Sequence, residues 1–391
     1  MVSASGTDPA AQVETKAPLL ERLGVRYFRR LSASLPRVAS ADAVSVLNAE
    51  ERRHLSVVVR GAVIRASVAG AVSAALAAGA EVLADRLFGA DHASFDVAAR
   101  YWALVGGVTI VAAVAEILYL YWDSLRAVHQ LSRAAGLDPF ATETSGDGAA
   151  VAAALARAAL ELPNPTERVF GVDPRREASK FKLAIASLLY KVKVSVTNFA
   201  VKVLVRRLAG RALVRTWLPF VAVPGTAAWN GIVCWVVLRE AKIRVMGPSA
   251  ARELVGAIFD QGITLSAEGR LALVRAVASS IVRTEDLHPN LHAVLVEVLR
   301  RVDDPLPDGI DDSRVFLDIL ARLPSAEQRM ALQVLLSAAI IDGRFTSAET
   351  RLLHEAQAAC GRTPDVRPAE RLRRAFVAGT GSLDELIRTL V

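Results

Sequence analysis

The stretch YWALVGGVTIVAAVAEILYLYW, residues 101–122, decides the fold, because its length and composition predict a helix that crosses a lipid bilayer. At a rise of about 1.5 Å per residue, about 20 helical residues span the ~30 Å hydrocarbon layer. Trp102 and Trp122 bracket the stretch, and aromatic rings favour the two membrane–water interfaces. Glu116 is its one charged residue. The chain is therefore predicted to be an integral membrane protein.

A second apolar stretch precedes it, from about Ala62 to Ala80. It is rich in alanine, and Gly70 and Gly79 help to give it a small-residue face that permits close contact between helices. An alanine-rich helix of a soluble domain is the alternative interpretation. Basic residues dominate before this stretch and reappear after residue 122, whereas the loop between the two stretches has no positive bias. The positive-inside rule therefore predicts a transmembrane hairpin with both ends in the cytoplasm.

Positive charge is concentrated in the part of the chain that carries the apolar stretches. Residues 1–246 have a net charge of +10 and residues 247–391 one of −3, and no acidic residue occurs between Lys180 and Arg239. We expect this acid-free segment to form a helix along the inner interface against anionic lipid, which costs less than placing its lysines at mid-bilayer. The candidate membrane- or lipid-contacting residues are Trp102, Trp122, Lys182, Lys191, Lys193, Lys202, Arg206 and Arg207.

A third apolar stretch, residues 216–238, contains the remaining three tryptophans and no charge. Pro224 and Gly225 interrupt it, and basic residues flank both ends. It is predicted to be either a re-entrant hairpin that turns at this Pro-Gly pair or a fourth span after the basic helix, and both keep the C-terminus in the cytoplasm. Polar residues inside a membrane are functional candidates by default, which singles out Glu116 and Asn230.

The predicted fold class is all-α: a helical membrane protein, made of a transmembrane hairpin and a further membrane-embedded segment, with a C-terminal soluble helical bundle. The start of the chain has no apolar signal-peptide core, so internal spans are expected to insert it, as a multi-pass protein, into the inner (cytoplasmic) membrane of a bacterium. The predicted segments are 1–18, disordered; 19–58, basic cytoplasmic helices; 59–130, the transmembrane hairpin; 131–178, a linker; 179–246, the basic interfacial helix and membrane-embedded segment; and 247–391, the soluble domain.

The soluble domain contains an internal repeat. GITLSAEGRL, residues 262–271, aligns with GRFTSAETRL, residues 343–352, with Gly, Ser-Ala-Glu, Arg and Leu at the same spacings. Each copy predicts a helix start, with Ser266, Ser325 and Ser347 as N-caps and a carboxylate that faces the helix dipole. Capping alone explains the copies, whereas the matched Gly and Leu favour two related halves. The predicted helices lie near 248–261, 266–284, 289–302, 312–322, 325–341, 347–360, 367–377 and 383–390.

The segment AAIIDGRFTSAE, residues 338–349, followed by Arg-Leu-Leu at 351–353, resembles the signature of TerB-like tellurite-resistance domains. In that signature an apolar helix ends in Ala-x-x-Asp-Gly and a second helix begins with a Ser/Thr-x-x-Glu turn. The resemblance implies a compact helical bundle used in membrane-linked stress responses, often beside other modules. The stretch from Pro219 to Asn230, followed by a basic helix, is similar to the C-terminal membrane-associated part of EcsC-like proteins.

The same segment is similar to the second half of an EF-hand loop, with Asp342 and Glu349 at the fifth and twelfth places. Ala338 and Ile340 would take the first and third places and cannot bind calcium, so a closed calcium loop is excluded. A looser divalent-metal site built on Asp342 and Glu349 is one hypothesis, and the alternative is that both carboxylates shape the turn between two helices. A third metal ligand would come from the other half of the domain, from Asp260 or Glu268.

Several other chemistries are not expected. No P-loop, dinucleotide-binding, zinc-protease or serine-hydrolase motif occurs, so neither an enzyme nor an organic cofactor is predicted. The two cysteines, Cys234 and Cys360, cannot form a disulfide framework. His288 and His292 have i, i+4 spacing, but the proline between them favours surface or capping histidines over metal ligands. Nucleic-acid binding is not predicted, because no basic face with interleaved aromatic residues occurs.

The sequence favours a membrane-tethered, non-enzymatic adaptor or sensor in bacterial envelope or metal stress. Its acidic C-terminal domain, residues 247–391, would recruit an unidentified protein partner while the basic half holds anionic lipid. The main alternative is a transporter or channel component, in which Glu116, Asn230 and the Lys-rich helix line a pathway through an oligomer. A third hypothesis is metal buffering by the C-terminal domain.

Overall fold

The computed structural model describes residues 18–34, 47–89, 94–137, 147–164, 168–176, 218–303, 305, 307 and 309–380. These residues form α-helices and one isolated bridge between Val169 and Val172, which confirms the all-α fold class. The helices are α1 Leu19–Ala33, α2 Ala49–Phe88, α3 Phe95–Ala134, α4 Asp147–Ala159, α5 Leu218–Phe259, α6 Ala267–Thr284, α7 Pro289–Val302, α8 Ser313–Arg322, α9 Ser325–Ile340, α10 Ser347–Ala359 and α11 Arg367–Ala378.

The chain forms two compact units, and helices α2, α3 and α5 each contribute residues to both. The first, here the apolar unit, comprises residues 56–128 and 180–239. The second, here the bundle unit, comprises residues 1–55, 129–179 and 240–391. The predicted disorder of residues 1–18 falls almost wholly outside the described residues, as do the predicted basic helix after Lys180 and the predicted last helix at 383–390.

Helices α2 and α3 of the apolar unit are each 40 residues long and apolar enough to cross a membrane, by length and composition. In α2 22% of the residues in the most apolar window are buried, and in α3 only 11%. The core helix of a soluble protein buries most of its apolar side chains. These two helices therefore present their apolar side chains outward, as the predicted transmembrane hairpin requires.

Helix α5 is a single helix of 42 residues, so the predicted hairpin turn at Pro224-Gly225 is wrong. Pro224 and Gly225 lie within this helix, and Thr226 Oγ1 donates to the carbonyl of Ala222 one turn earlier at 2.9 Å. The helix predicted to start near residue 248 is wrong for a related reason, because α5 continues through Gly247 and Pro248 to Phe259.

The bundle unit has α6 at its centre. Helix α6 packs against α7, α8, α9 and α10, and its residues from 272 to 282 are all buried. Helix α11 packs on α9. In the N-terminal part of the chain, α1 packs on α4. The predicted helices from 266 to 377 are confirmed to within two residues at each end, and side-chain caps mark the starts of α6, α7, α8 and α10.

In both copies of the repeat, residues 262–271 and 343–352, a left-handed glycine precedes a helix, but the N-caps of the two helices differ by one aligned position. Gly262 follows α5 with φ +71° and Gly343 follows α9 with φ +73°, a left-handed conformation that favours glycine. Ser266 is the N-cap of α6, as predicted, and accepts a hydrogen bond from the backbone N–H of Gly269. The N-caps predicted at Ser325 and Ser347 are each wrong by one residue, because Pro324 and Thr346 precede those helices.

Candidate functional site

The two predicted intramembrane polar residues contact each other. Asn230 Nδ2 on α5 donates to Glu116 Oε1 on α3 at 2.6 Å. A hydrogen bond of this kind joins two helices where lipid offers no polar partner. The sequence identified both residues by their apolar surroundings, but the 114 residues between them gave no sign of the pairing.

Small residues bring α2 close to α5 at the same level. A Cβ on Gly70 would lie 2.6 Å from Asn230 Nδ2 and 2.9 Å from the carbonyl oxygen of Thr226. A Cβ on Gly231 would collide with Ser67 Oγ. The predicted small-residue face of α2 is thus used at Gly70, where only glycine fits, so Glu116 and Asn230 lie where three helices meet.

One end of the apolar unit is marked by charged and aromatic side chains on all three helices. Arg65 on α2 pairs with the buried Asp123 on α3 at 2.8 Å. Arg126 lies over the Trp122 ring of α3, and Arg239 lies over Trp235 of α5. Asp123 is seven residues from Glu116, a rise of about 10 Å along the helix. This arrangement of rings and arginines is typical of a membrane–water interface, which the sequence predicts at Trp122. The Arg65–Asp123 pair was not predicted, because Asp123 lies outside the apolar stretch.

The second polar cluster belongs to the bundle unit and is centred on Glu240 of α5. Its carboxylate accepts hydrogen bonds from Arg244 Nε at 3.0 Å, from His288 Nε2 at 2.9 Å and from Arg344 Nη2 at 3.4 Å. Burial alone would raise the pKa of Glu240, but the hydrogen bond with His288 and the neighbouring Arg244 and Arg344 outweigh it and hold the pKa at about 2. His288 is fully buried and caps α7 through Nδ1, so the predicted capping role is confirmed.

Asp342 and Glu349, the predicted metal pair, lie in the turn between α9 and α10. Asp342 is 4% exposed and Glu349 is 1% exposed. Asp342 Oδ1 accepts from the backbone N–H of Arg344 at 2.8 Å, and Glu349 forms a capping box with Thr346. Burial raises the pKa of both carboxyls, and for Glu349 the neighbouring Asp342 adds to the rise, to about 8.

This turn packs directly on α5. Asn290 Nδ2 donates to the carbonyls of Ile243 and Ile341, at 3.0 and 2.7 Å, and so joins α5 to the end of α9. A Cβ on Gly343 would lie 2.5 Å from Ile243 Cδ1. Together with the Arg344–Glu240 contact, these interactions fix the Asp-Gly turn against the first turns of α5 beyond Arg239. None of the α5 residues in this interface was singled out in the sequence.

A metal site at this turn fits the structure only in part. Glu349 Oε1 is buried without a hydrogen-bond partner, which is what an unused ligand atom would look like. Asp260, a suggested third ligand, is paired with Arg301, and Glu268 is exposed on the first turn of α6. Among the described residues no three His, Cys, Asp or Glu side chains gather as a metal-binding group. The metal site therefore stays a hypothesis based on two carboxylates.

Of the predicted lipid-contacting residues, the structure describes the two tryptophans. Trp102 and Trp122 are exposed on α3, with 60% and 43% of their surface accessible. The predicted lysine and arginine contacts lie outside the described residues, namely Lys182, Lys191, Lys193, Lys202, Arg206 and Arg207.

Comparisons of the chain with protein-family models, with curated proteins and with solved structures find no match. The resemblances to TerB-like and EcsC-like proteins thus stay predictions from the motifs that carry them. The contacts within each polar cluster are therefore the basis on which a function is proposed.

Proposed function

We propose that this chain is a non-enzymatic adaptor or sensor, anchored in a bacterial inner membrane by the apolar unit and exposing the bundle unit to the cytoplasm. The observation that carries the proposal is helix α5. It contacts Glu116 through Asn230 in the apolar unit, and thirteen residues further along, Ile243 contacts the Asp342–Gly343 turn in the bundle unit. One uninterrupted helix therefore joins the two polar clusters.

The membrane location is supported by the surface and the direction of the helices. Arg65 pairs with Asp123, whereas Ala84 packs with Tyr101, so α2 and α3 are antiparallel. Helix α5 is antiparallel to α2, because Gly70 of α2 lies by Thr226 whereas the earlier Ser67 lies by the later Gly231. The three helices thus leave the apolar unit at the same end, which is rich in arginine. The positive-inside rule assigns that end, and with it both chain termini, to the cytoplasm.

The kind of stress in which the adaptor acts is inferred from the bundle unit. The TerB-like Asp-Gly turn is the part of that unit that packs on α5, and the resemblance implies a role in envelope or metal stress. A partner protein or a divalent cation that acts on this turn would alter the packing of Ile243 and Glu240. In the opposite direction, a change at Glu116 would reach the turn through the helix.

A transporter or channel component is the second candidate, and the Glu116–Asn230 pair is the observation that favours it. A carboxylate within an apolar span marks ion and proton pathways in many membrane proteins. The pair has an equally good structural role, because each member satisfies the other where three helices meet. If the pair lines an ion pathway, ion flux through the protein depends on Glu116; if the pair only joins the helices, it does not.

The adaptor proposal is tested by hydrogen exchange of the full chain in lipid nanodiscs. We expect Asn230→Ala to speed exchange in residues 341–349 by about tenfold, the change produced by a loss of about 1.4 kcal/mol of local stability. The matched control is Trp229→Ala, which removes an exposed ring from the same helix and is expected to leave that segment unchanged. A response confined to the apolar unit would contradict the proposal.

Ion flux in liposomes is the companion measurement. We expect the reconstituted chain to carry no flux that depends on Glu116. Flux that is present in the wild type and lost in Glu116→Gln would instead establish transport, and the adaptor proposal would then fail.

A further inference from the structure

Helix α1 presents an exposed face that is both apolar and basic. Leu19 is 65% exposed, Leu20 39% and Leu23 50%, which is unusual for three leucines on one short helix. Arg22 and Arg26 are exposed, as is Arg30 one turn further. At 100° per residue Leu19, Leu23 and the three arginines fall within an arc of about 100°. Apolar and basic side chains therefore share one side of the helix.

No acidic residue of α1 lies on this exposed face. Glu21 is the one acidic residue of α1, and it lies on the opposite side, buried and paired with Arg157 at 2.6 Å. The exposed side of α1 thus combines leucines with Arg22, Arg26 and Arg30, which form no ion pair with the residues that the structure describes. That combination is typical of helices that lie in the plane of an anionic membrane surface.

The opposite side of α1 is held by the bundle unit. Phe28 is 1% exposed and its ring lies 6.0 Å from that of His129, and Ser32 Oγ is 3.1 Å from His129 Nε2. These contacts hold one side of α1 in the bundle unit and leave the side with the leucines and arginines exposed.

We infer that α1 is a membrane-surface helix that binds anionic lipid, with its leucines at the boundary between headgroups and acyl chains and its arginines on the phosphates. The inference rests on the proposed anchoring of the apolar unit in a bilayer. An anionic lipid surface matches the face better than an acidic protein would, because apolar and basic side chains that share one side of a short helix are the pattern of helices lying in the plane of an anionic membrane surface.

The test uses the full chain with Cys234 and Cys360 replaced by serine and one new cysteine, Leu23→Cys, labelled with an environment-sensitive fluorophore. In nanodiscs that contain phosphatidylglycerol we expect the label to shift to the blue and to be quenched at least about twofold more than in pure phosphatidylcholine by lipids with spin-labelled headgroups. High salt is expected to reduce the difference, because screening weakens attraction between exposed charges. The triple variant Arg22→Gln, Arg26→Gln, Arg30→Gln is expected to abolish it.

Two further labels separate the possible failures. A label at Glu268→Cys, exposed on α6, is the control and is expected to ignore lipid composition. A label at Val111→Cys, on the exposed side of α3, is expected to be quenched from the acyl chains. If Val111 is quenched but Leu23 stays in water with anionic lipid, the α1 inference is overturned, and an acidic protein becomes the partner to seek. If Val111 is not quenched, the membrane anchoring itself fails.

Discussion

Replacement of Glu349 by glutamine is expected to make the fold more stable than the wild type at pH 8. The wild type loses stability between pH 4.5 and pH 8, and most of this loss is expected to be absent in the variant. The pKa of Glu349 is about 8 in the folded chain, against an ordinary 4.5. A carboxyl whose pKa is raised by folding contributes stability that is fully present below its unfolded pKa and is lost as the pH rises through its folded pKa. At 1.36 kcal/mol per pKa unit the loss is roughly 4 kcal/mol.

The physical reason for choosing glutamine is that it stays neutral and keeps one oxygen for the capping box. Thr346 donates both its backbone N–H and its hydroxyl to Glu349 Oε2, and the glutamine amide oxygen can accept both. The measurement is the free energy of unfolding of the full chain in detergent micelles from pH 4.5 to pH 8.5. Glu268→Gln is the matched control, because Glu268 holds the aligned position in the repeat but is exposed. An unchanged pH slope in Glu349→Gln would contradict the burial of an uncompensated carboxyl here.

Gly343→Ala is expected to destabilise the bundle unit by roughly 2–5 kcal/mol, the second large effect. Two costs combine. Residue 343 has φ +73°, and an alanine in that conformation costs about 1–2 kcal/mol. Its Cβ would also lie 2.5 Å from Ile243 Cδ1, and overpacking of a core costs a further 1–3 kcal/mol.

The repeat provides the control for this prediction. Gly262→Ala introduces the same strain at φ +71°, but no atom lies within 4 Å of the new Cβ, so only the 1–2 kcal/mol conformational cost is expected. The double variant Gly343→Ala with Ile243→Val removes the colliding methyl group and is expected to recover part of the difference. Equal melting temperatures for the two single glycine variants would show that the turn does not pack on α5 as described.

The sequence was a good guide wherever a local signal decides the structure. The aromatic rings and the length of residues 101–122 predict the helix that α3 contains, and N-caps and glycines place α6 to α11. The prediction ended a helix before Pro248 and turned the chain at Pro224, whereas α5 continues through both prolines. Its contacts with the rest of the bundle unit, such as that of Asn290 Nδ2 with the carbonyl of Ile243, join residues 47 positions apart, and no local window of sequence contains both.

The residues of the candidate sites also differ in whether a local sequence signal identifies them. Glu116 and Asn230 each stand out in an apolar stretch, and Asp342 and Glu349 stand out in a motif. Glu240 carries no such signal, because it follows a span in a helix where an acidic residue is ordinary. Its role depends on His288 and Arg344, which are 48 and 104 residues away. Long-range pairing of this kind is decided by tertiary structure alone.

Membrane anchoring with the bundle unit in the cytoplasm is tested most directly by cysteine labelling in intact cells. The chain carries Cys234→Ser and Cys360→Ser and either Arg86→Cys, exposed at the far end of α2, or Arg351→Cys, exposed on α10. A membrane-impermeant maleimide is expected to label residue 86 in intact cells and residue 351 only after permeabilisation. Labelling of residue 351 in intact cells, or release of the chain from membranes by alkaline carbonate, would contradict the proposed anchoring.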